Sequence, residues 1–241
     1  MSGGAHTSRT IMLAELCELF RVCPQAVPLQ DYKTATIELN ALGKKSLPAR
    51  ERTFRYLREL YSLDTDDVTF FALRQLWCVD VAAQPLLALL SAIDRDQAFR
   101  ATAGLILAVK PGQPVTSDDL RSAVQRQYPE SYSEATAGKI GRNALSSWTQ
   151  SGHLATINRS TRVRACAVCR PSAVAFALFL AHRSGSAGQA LFDTIYCHLL
   201  DRPATVLRDQ AFEAAQRGWI DYRELGGIID VGFKRFHQGA A

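Results

Sequence analysis

Apolar residues recur along the chain mainly at helical spacing. Leu13, Leu16, Cys17 and Phe20 form a stripe that stops before Pro24, predicting a first helix preceded by a loose tail over residues 1–8. Asp31 is placed to cap a second helix running to Gly43. Pro48 stands like the first-turn proline of a third, with Phe54, Leu57, Leu60 and Tyr61 on its inner side. Val68, Phe71, Ala72, Leu76 and Val79 predict a helix from near Asp66; Pro85 opens a short one, and Asp94 caps another that ends before Pro111. Residues 1–110 therefore read as a compact helical bundle.

The stretch 111–114, Pro-Gly-Gln-Pro, punctuates the chain, and the pattern then changes. Thr116 or Ser117 is a natural cap for a helix through Leu120, Val124 and Gln127, with Asp118 and Asp119 in its first turn. A longer helix over 133–150 turns Ala137, Ile140, Ala144, Leu145 and Trp148 inward and Lys139, Arg142, Asn143, Ser146 and Gln150 outward. Residues 154–157 and 163–168 alternate like two short strands around a turn at 158–161. Helix, turn, helix and basic hairpin make residues 111–170 a winged helix-turn-helix. In the remaining segment, 171–241, residues 173–183 are apolar nearly all round and predict a deeply buried helix. Helices near 188–200 and 205–217 follow, and 218–236 alternates weakly, as one or two strands would. The expected fold is mainly α, with a central winged helix and a C-terminal helical region that packs on the rest and carries a short β segment.

Composition narrows the classes. A chain of 241 residues with 47% hydrophobic and 21% charged residues has ample material for a core, which excludes a disordered chain. The longest apolar run, 173–181, is nine residues against the roughly 20 that span a bilayer, and the N-terminus has no apolar signal region. A cytoplasmic location without membrane contact is expected. The six cysteines read as small buried hydrophobes. Cys166 and Cys169 form one CxxC, but a structural zinc needs two more ligands, and Cys197 with His198 fits no familiar spacing, so neither metal nor cofactor is expected.

Charge distribution changes the picture more. Residues 135–170 carry Lys139, Arg142, Arg159, Arg162, Arg164 and Arg170 with no acid, while the whole chain has a net charge of only +5. The net positive charge therefore sits in one segment, as a surface that meets phosphates requires. In a winged helix the second helix enters the major groove and the wing touches backbone. Arg142 suits guanine and Asn143 adenine, Ser146 and Gln150 share their face, and Gly138 and Gly141 permit close approach. Arg159, Arg162 and Arg164 supply phosphate contacts from the hairpin. A second cluster, Lys44, Lys45, Arg50, Arg52, Arg55 and Arg58, is opposed by Glu51 alone and extends the footprint or meets a partner.

Signs of catalysis are thin. No phosphate-binding loop, dinucleotide fingerprint, HExxH or GxSxG occurs. Glu18, Asp31 and Lys33 share residue types with metal-assisted nuclease sites, but those sit on strands and these fall at a helix start. The histidines form no triad by spacing. A non-enzyme is expected.

Several segments resemble the BrxA family of the bacterial BREX (bacteriophage exclusion) defence systems. They are Asn-Ala-Leu-Gly-Lys-Lys-Ser at 40–46, Arg-Glu-Arg-Thr-Phe-Arg-Tyr-Leu-Arg at 50–58 and Ser-Ser-Trp-Thr-Gln-Ser-Gly-His-Leu at 146–154 before the basic hairpin. Ala-Gln-Arg-Gly-Trp-Ile-Asp-Tyr at 215–222, running into a Gly-Ile-Ile-Asp-Val tail, belongs with them. The resemblance implies a bundle similar to the NusB antitermination fold, binding of double-stranded DNA without catalysis, and work beside a methyltransferase and ATPases. It offers no catalytic motif. Two other readings stand beside it: a protein-interaction adaptor whose basic faces meet acidic partners, and an RNA-binding antitermination-like factor.

Overall fold

The computed structural model describes residues 4–158 and 161–237. It is mainly helical with small antiparallel sheets. Residues 4–8, expected as a loose tail, instead hold a 3-10 turn at Ala5–Thr7 with Ala5 and His6 fully buried. The apolar run does not begin at Leu13: Ile11 and Met12 are buried too, and they draw the preceding chain onto the body as a strap.

Helix α1 (Leu13–Val22) is followed by α2 (Leu29–Lys33), which starts behind Pro28, two residues ahead of Asp31, and runs into a π-helical turn at Thr34–Glu38. Asp31 thus sits in the first turn rather than at the cap. Asn40 and Gly43 take positive φ, and the helix stops before them instead of reaching Gly43. In α3 (Leu47–Tyr61) the proline lies in the first turn as expected, and α4 (Val68–Trp77) is capped by Asp67, whose carboxylate accepts from Thr69 and Phe70 amides. Helix α5 (Gln84–Arg95) continues past Asp94, because its apolar face runs unbroken to Ile93. Asp96, not Asp94, then caps α6 (Gln97–Arg100), which leads to α7 (Ala103–Ala108).

Strand β1 (Pro114–Val115) precedes α8 (Ser117–Gln127), which opens on a reciprocal capping box between Thr116 and Asp119. Helix α9 (Glu134–Gln150), capped by Ser133, buries Ala137, Ile140, Ala144 and Trp148 as the pattern demanded. Gly141 does provide a close approach, but to α8: a Cβ there would collide with the Ser117 carbonyl. Strands β2 (Leu154–Thr156) and β3 (Arg162–Arg164) are shorter than expected, and β3 lies between β1 and β2 in an antiparallel sheet.

The buried helix is α10 (Pro171–Arg183), whose residues through Ala181 have no appreciable exposure. The expected helix at 188–200 is broken by the extended residue Thr194 into a 3-10 segment at Gly188–Asp193 and α11 (Ile195–His198). Then come α12 (Ala204–Gln216), the hairpin of β4 (Asp221–Leu225) and β5 (Ile228–Gly232), and α13 (Lys234–His237). Gly226 and Gly227 form the two-residue hairpin loop, both at positive φ, where side-chain-bearing residues are strained. One hydrophobic core joins Leu19, Leu87, Val115, Trp148, Phe179 and Phe236, and so draws on all three segments of the chain. Among the described residues no helix is long and apolar enough to cross a membrane.

Candidate nucleic-acid interface

Helix α3 places Arg52, Arg55 and Tyr56 on one face, and α9 does the same with Lys139, Arg142 and Asn143. Both sets follow the i, i+3, i+4 spacing that stacks side chains along a helix. The strap lies between them and adds Thr7, Ser8 and Arg9, so that the nine residues line a cleft of about 490 Å³. Five of them are cationic and none is acidic. No salt bridge to Arg9, Arg52, Arg55, Lys139 or Arg142 occurs among the described residues. Arg9 and Arg55 both lie over the Tyr56 ring, 5.5 and 4.7 Å from its centroid. Hydrogen bonding to Ser8 is the main cause that holds the Tyr56 phenol below its usual range; burial opposes it, and hydrogen bonding and charge from Arg55 with the charge of Arg9 add to it. Positive charge gathered without a counter-charge is a field that attracts polyanions.

The two basic clusters that lie far apart in sequence thus meet, though not with every member. Lys45 is exposed away from the cleft, and Lys44 pairs with Glu15 at 3.0 Å. Three of the five residues expected on the reading face of α9 are already engaged. Asn143 Nδ2 donates to the His6 carbonyl at 2.9 Å, Gln150 Oε1 accepts from the Leu13 amide at 3.2 Å, and Gln150 Nε2 donates to Ser146 Oγ. Asn143 and Gln150 therefore secure the N-terminal segment, with Ser146 holding Gln150, which leaves Lys139 and Arg142 as the outward pair.

The hairpin arginines divide as well. Arg159 lies outside the described residues. Arg162 is half-buried and donates to the carbonyls of Asn158 and Thr161. Arg164 is not a surface cation: it is buried, pairs with Asp201 through both terminal nitrogens and donates to the Ile106 carbonyl. Its side chain shares the Arg162 side of the strand, but at the Leu154 end that side faces the core. Arg170, counted in the same basic segment, pairs with Asp80.

Sequence spacing also concealed a Ser–His–Asp chain. Ser147 Oγ lies 2.8 Å from His6 Nε2, and His6 Nδ1 lies 2.9 Å from Asp96 Oδ2. This is the connectivity of a nucleophile, base and orienting acid. All three residues are buried, however, and Ser147 Oγ is occupied further by the Ile11 amide and the Asn143 carbonyl. No substrate reaches that oxygen, and the chain of bonds works as a lock on the strap. Burial pushes the Asp96 carboxyl up, but hydrogen bonds and charge from His6, with the Phe99 amide, hold it below its usual range. The sequence did contain a signal for this: Ser147 falls on the inward stripe of α9, where a hydroxyl needs a buried partner.

Of the CxxC pair, Cys166 is exposed and Cys169 is buried, its thiol donating to Gln210 and pushed up to about 11 by burial. Among the described residues no three His, Cys, Asp or Glu side chains converge as metal ligands. Compared with known proteins, the chain matches no family model and no curated sequence.

Proposed function

We propose that this chain is a non-enzymatic, double-stranded DNA-binding protein that grips phosphates in the cleft between α3, α9 and the N-terminal strap. The observation that carries this reading is the convergence of five cations, from three separate parts of the sequence, on a cleft with no acidic lining. The order α7, β1, α8, α9, β2, β3, with β3 central in its sheet, supports reading this region as a winged helix with α9 as its second helix. The N-terminal half of α9, carrying Lys139 and Arg142, is the part open to DNA. Because Asn143, Ser146 and Gln150 are engaged within the protein, contacts to phosphate outweigh contacts to base edges, and binding tolerates sequence. Solvent exclusion at Ser147, His6 and Asp96 supports a binding role over hydrolysis. The segments similar to the BrxA family extend the proposal to phage defence, beside a methyltransferase and ATPases, with a NusB-like N-terminal bundle.

A labelled random duplex titrated with the full chain at about 50 and about 200 mM salt tests this, since phosphate contacts release counterions. Affinity should fall steeply with salt, and unlabelled duplex DNA should compete better than duplex or single-stranded RNA. Absence of binding at either salt would favour an adaptor that meets proteins, and preferential competition by RNA would favour the antitermination-like reading.

A further inference from the structure

We propose that Arg9, Tyr56 and Arg55 form a clamp for one backbone phosphate, in which the N-terminal strap supplies one guanidinium and α3 the other. The clamp rests on the reading of the cleft as a DNA site and deepens it by naming the group held and a binding residue, Arg9, that lies outside the winged-helix segment.

Two like charges over one ring repel each other, and nothing acidic lines the cleft to offset them. Such an arrangement is completed by an anion from outside the chain. The ring face attracts each guanidinium and restricts its orientation, so the planar N–H edges are arranged before the ligand arrives. A phosphodiester offers two unesterified oxygens, which suits the paired donors of arginine. Tyr56 is only 8% exposed and is fixed by the surrounding core, so it serves as a platform and acts through the arginines rather than on the phosphate.

Arg9 is not the cation of a free tail. Three residues before it, the His6 amide and ring bind Asp96, and the ring stacks on Phe99 with centroids 4.0 Å apart. Two residues after it, the Ile11 amide donates to Ser147 Oγ at 3.0 Å while the Ile11 carbonyl accepts from the Tyr61 hydroxyl. The strap is pinned on both sides of Arg9, and the guanidinium reaches the cleft at little further cost in conformational entropy.

The chemistry recognised is phosphate oxygen, which a free nucleoside triphosphate also carries; the proposal commits to the duplex backbone. The full chain is titrated with a labelled random duplex across a salt series, as wild type and as Arg9→Ala, Tyr56→Leu and Tyr56→Phe, with melting of each variant recorded. Arg9→Ala should melt like wild type and flatten the plot of log affinity against log salt by about 0.9, the slope due to a single neutralised phosphate. Tyr56→Leu should flatten it similarly, while Tyr56→Phe, which keeps the ring, should retain the wild-type slope. If Tyr56→Leu proves unstable, Arg9→Ala carries the test alone, because Arg9 is only half-buried and bears no salt bridge among the described residues. A steep wild-type slope left unchanged in Arg9→Ala would overturn the clamp and leave the cleft reading intact. No duplex binding by wild type would overturn both. A nucleoside triphosphate that displaces the duplex at equal concentration would overturn the assignment to backbone.

Discussion

Ser147 on α9 and His6 on the strap are 141 residues apart in sequence, yet Ser147 Oγ and His6 Nε2 lie 2.8 Å apart with both side chains fully buried. This pairing decides how α9 is used. The C-terminal half of the helix is committed to holding the N-terminal segment, and only the half near Lys139 and Arg142 stays open. His6→Ala removes the ring that joins Asp96 to Ser147 and leaves Asp96 held by two backbone amides alone, which should cost about 1–3 kcal/mol. Ser147→Ala leaves the Ile11 amide without its acceptor and should cost about 1–3 kcal/mol. Denaturant unfolding checks both, and a His6→Ala protein as stable as wild type would mean that the strap is not locked.

Asn143→Ala should act on stability and leave preference among DNA sequences alone, since its amide holds the His6 carbonyl. Loss of that bond should cost about 1 kcal/mol. A variant that melts normally but changes its preferred sequence would restore Asn143 as a base-reading residue.

Arg164→Ala should destabilise the fold by about 3–5 kcal/mol, because it strands Asp201 in a partly buried ion pair. Under conditions where it is folded, its DNA affinity should show the wild-type dependence on salt. A flattened salt plot in folded Arg164→Ala would put the arginine on the backbone after all.

Acid should weaken the fold through two groups. Burial is the main cause that lowers His153 from 6.5 to about 4, and the ring meets the Leu199 carbonyl and Ser151 hydroxyl in its neutral form. Between those values the unfolded chain binds a proton that the folded chain refuses, so stability falls as pH drops from 6.5 towards 4. The difference between the two values is worth about 3 kcal/mol. Asp96, held low in the fold, adds a loss at still lower pH, as its carboxylate is protonated on passing through the folded value. Melting temperature measured from neutral to acid pH should decline across both windows. His153→Gln should remove the first decline, and a decline that persists unchanged would contradict the assignment.

Much of the helical architecture was legible because a buried helix face leaves a stripe: Ile140, Ala144 and Trp148 are fully buried, and Thr116 caps its helix as its position suggested. The site was legible only in part. Helical periodicity separates the inner side of α9 from the outer, but it cannot tell outer residues met by solvent from those met by another segment of the chain. That is why Arg142 stands free while Asn143 and Gln150 are engaged. Likewise, Arg164 looks identical in sequence to a surface arginine until Asp201 is brought beside it. Arg9 is hidden in the sequence because the residues around it are polar or small, although Ile11 and Met12 are an apolar sign that the chain docks there.

The central claim is that the cleft joining α3 to α9 is where polyanionic DNA is held. Its most direct measurement is the salt dependence of duplex binding by wild type and by a fourfold variant, Arg52→Ala, Arg55→Ala, Lys139→Ala and Arg142→Ala, whose side chains are exposed or bear no salt bridge. The account predicts an unchanged melting temperature and a similar loss of affinity for every duplex. The salt plot should flatten by roughly 0.9 for each phosphate no longer neutralised. A folded fourfold variant that binds duplex DNA with wild-type affinity and slope would contradict it.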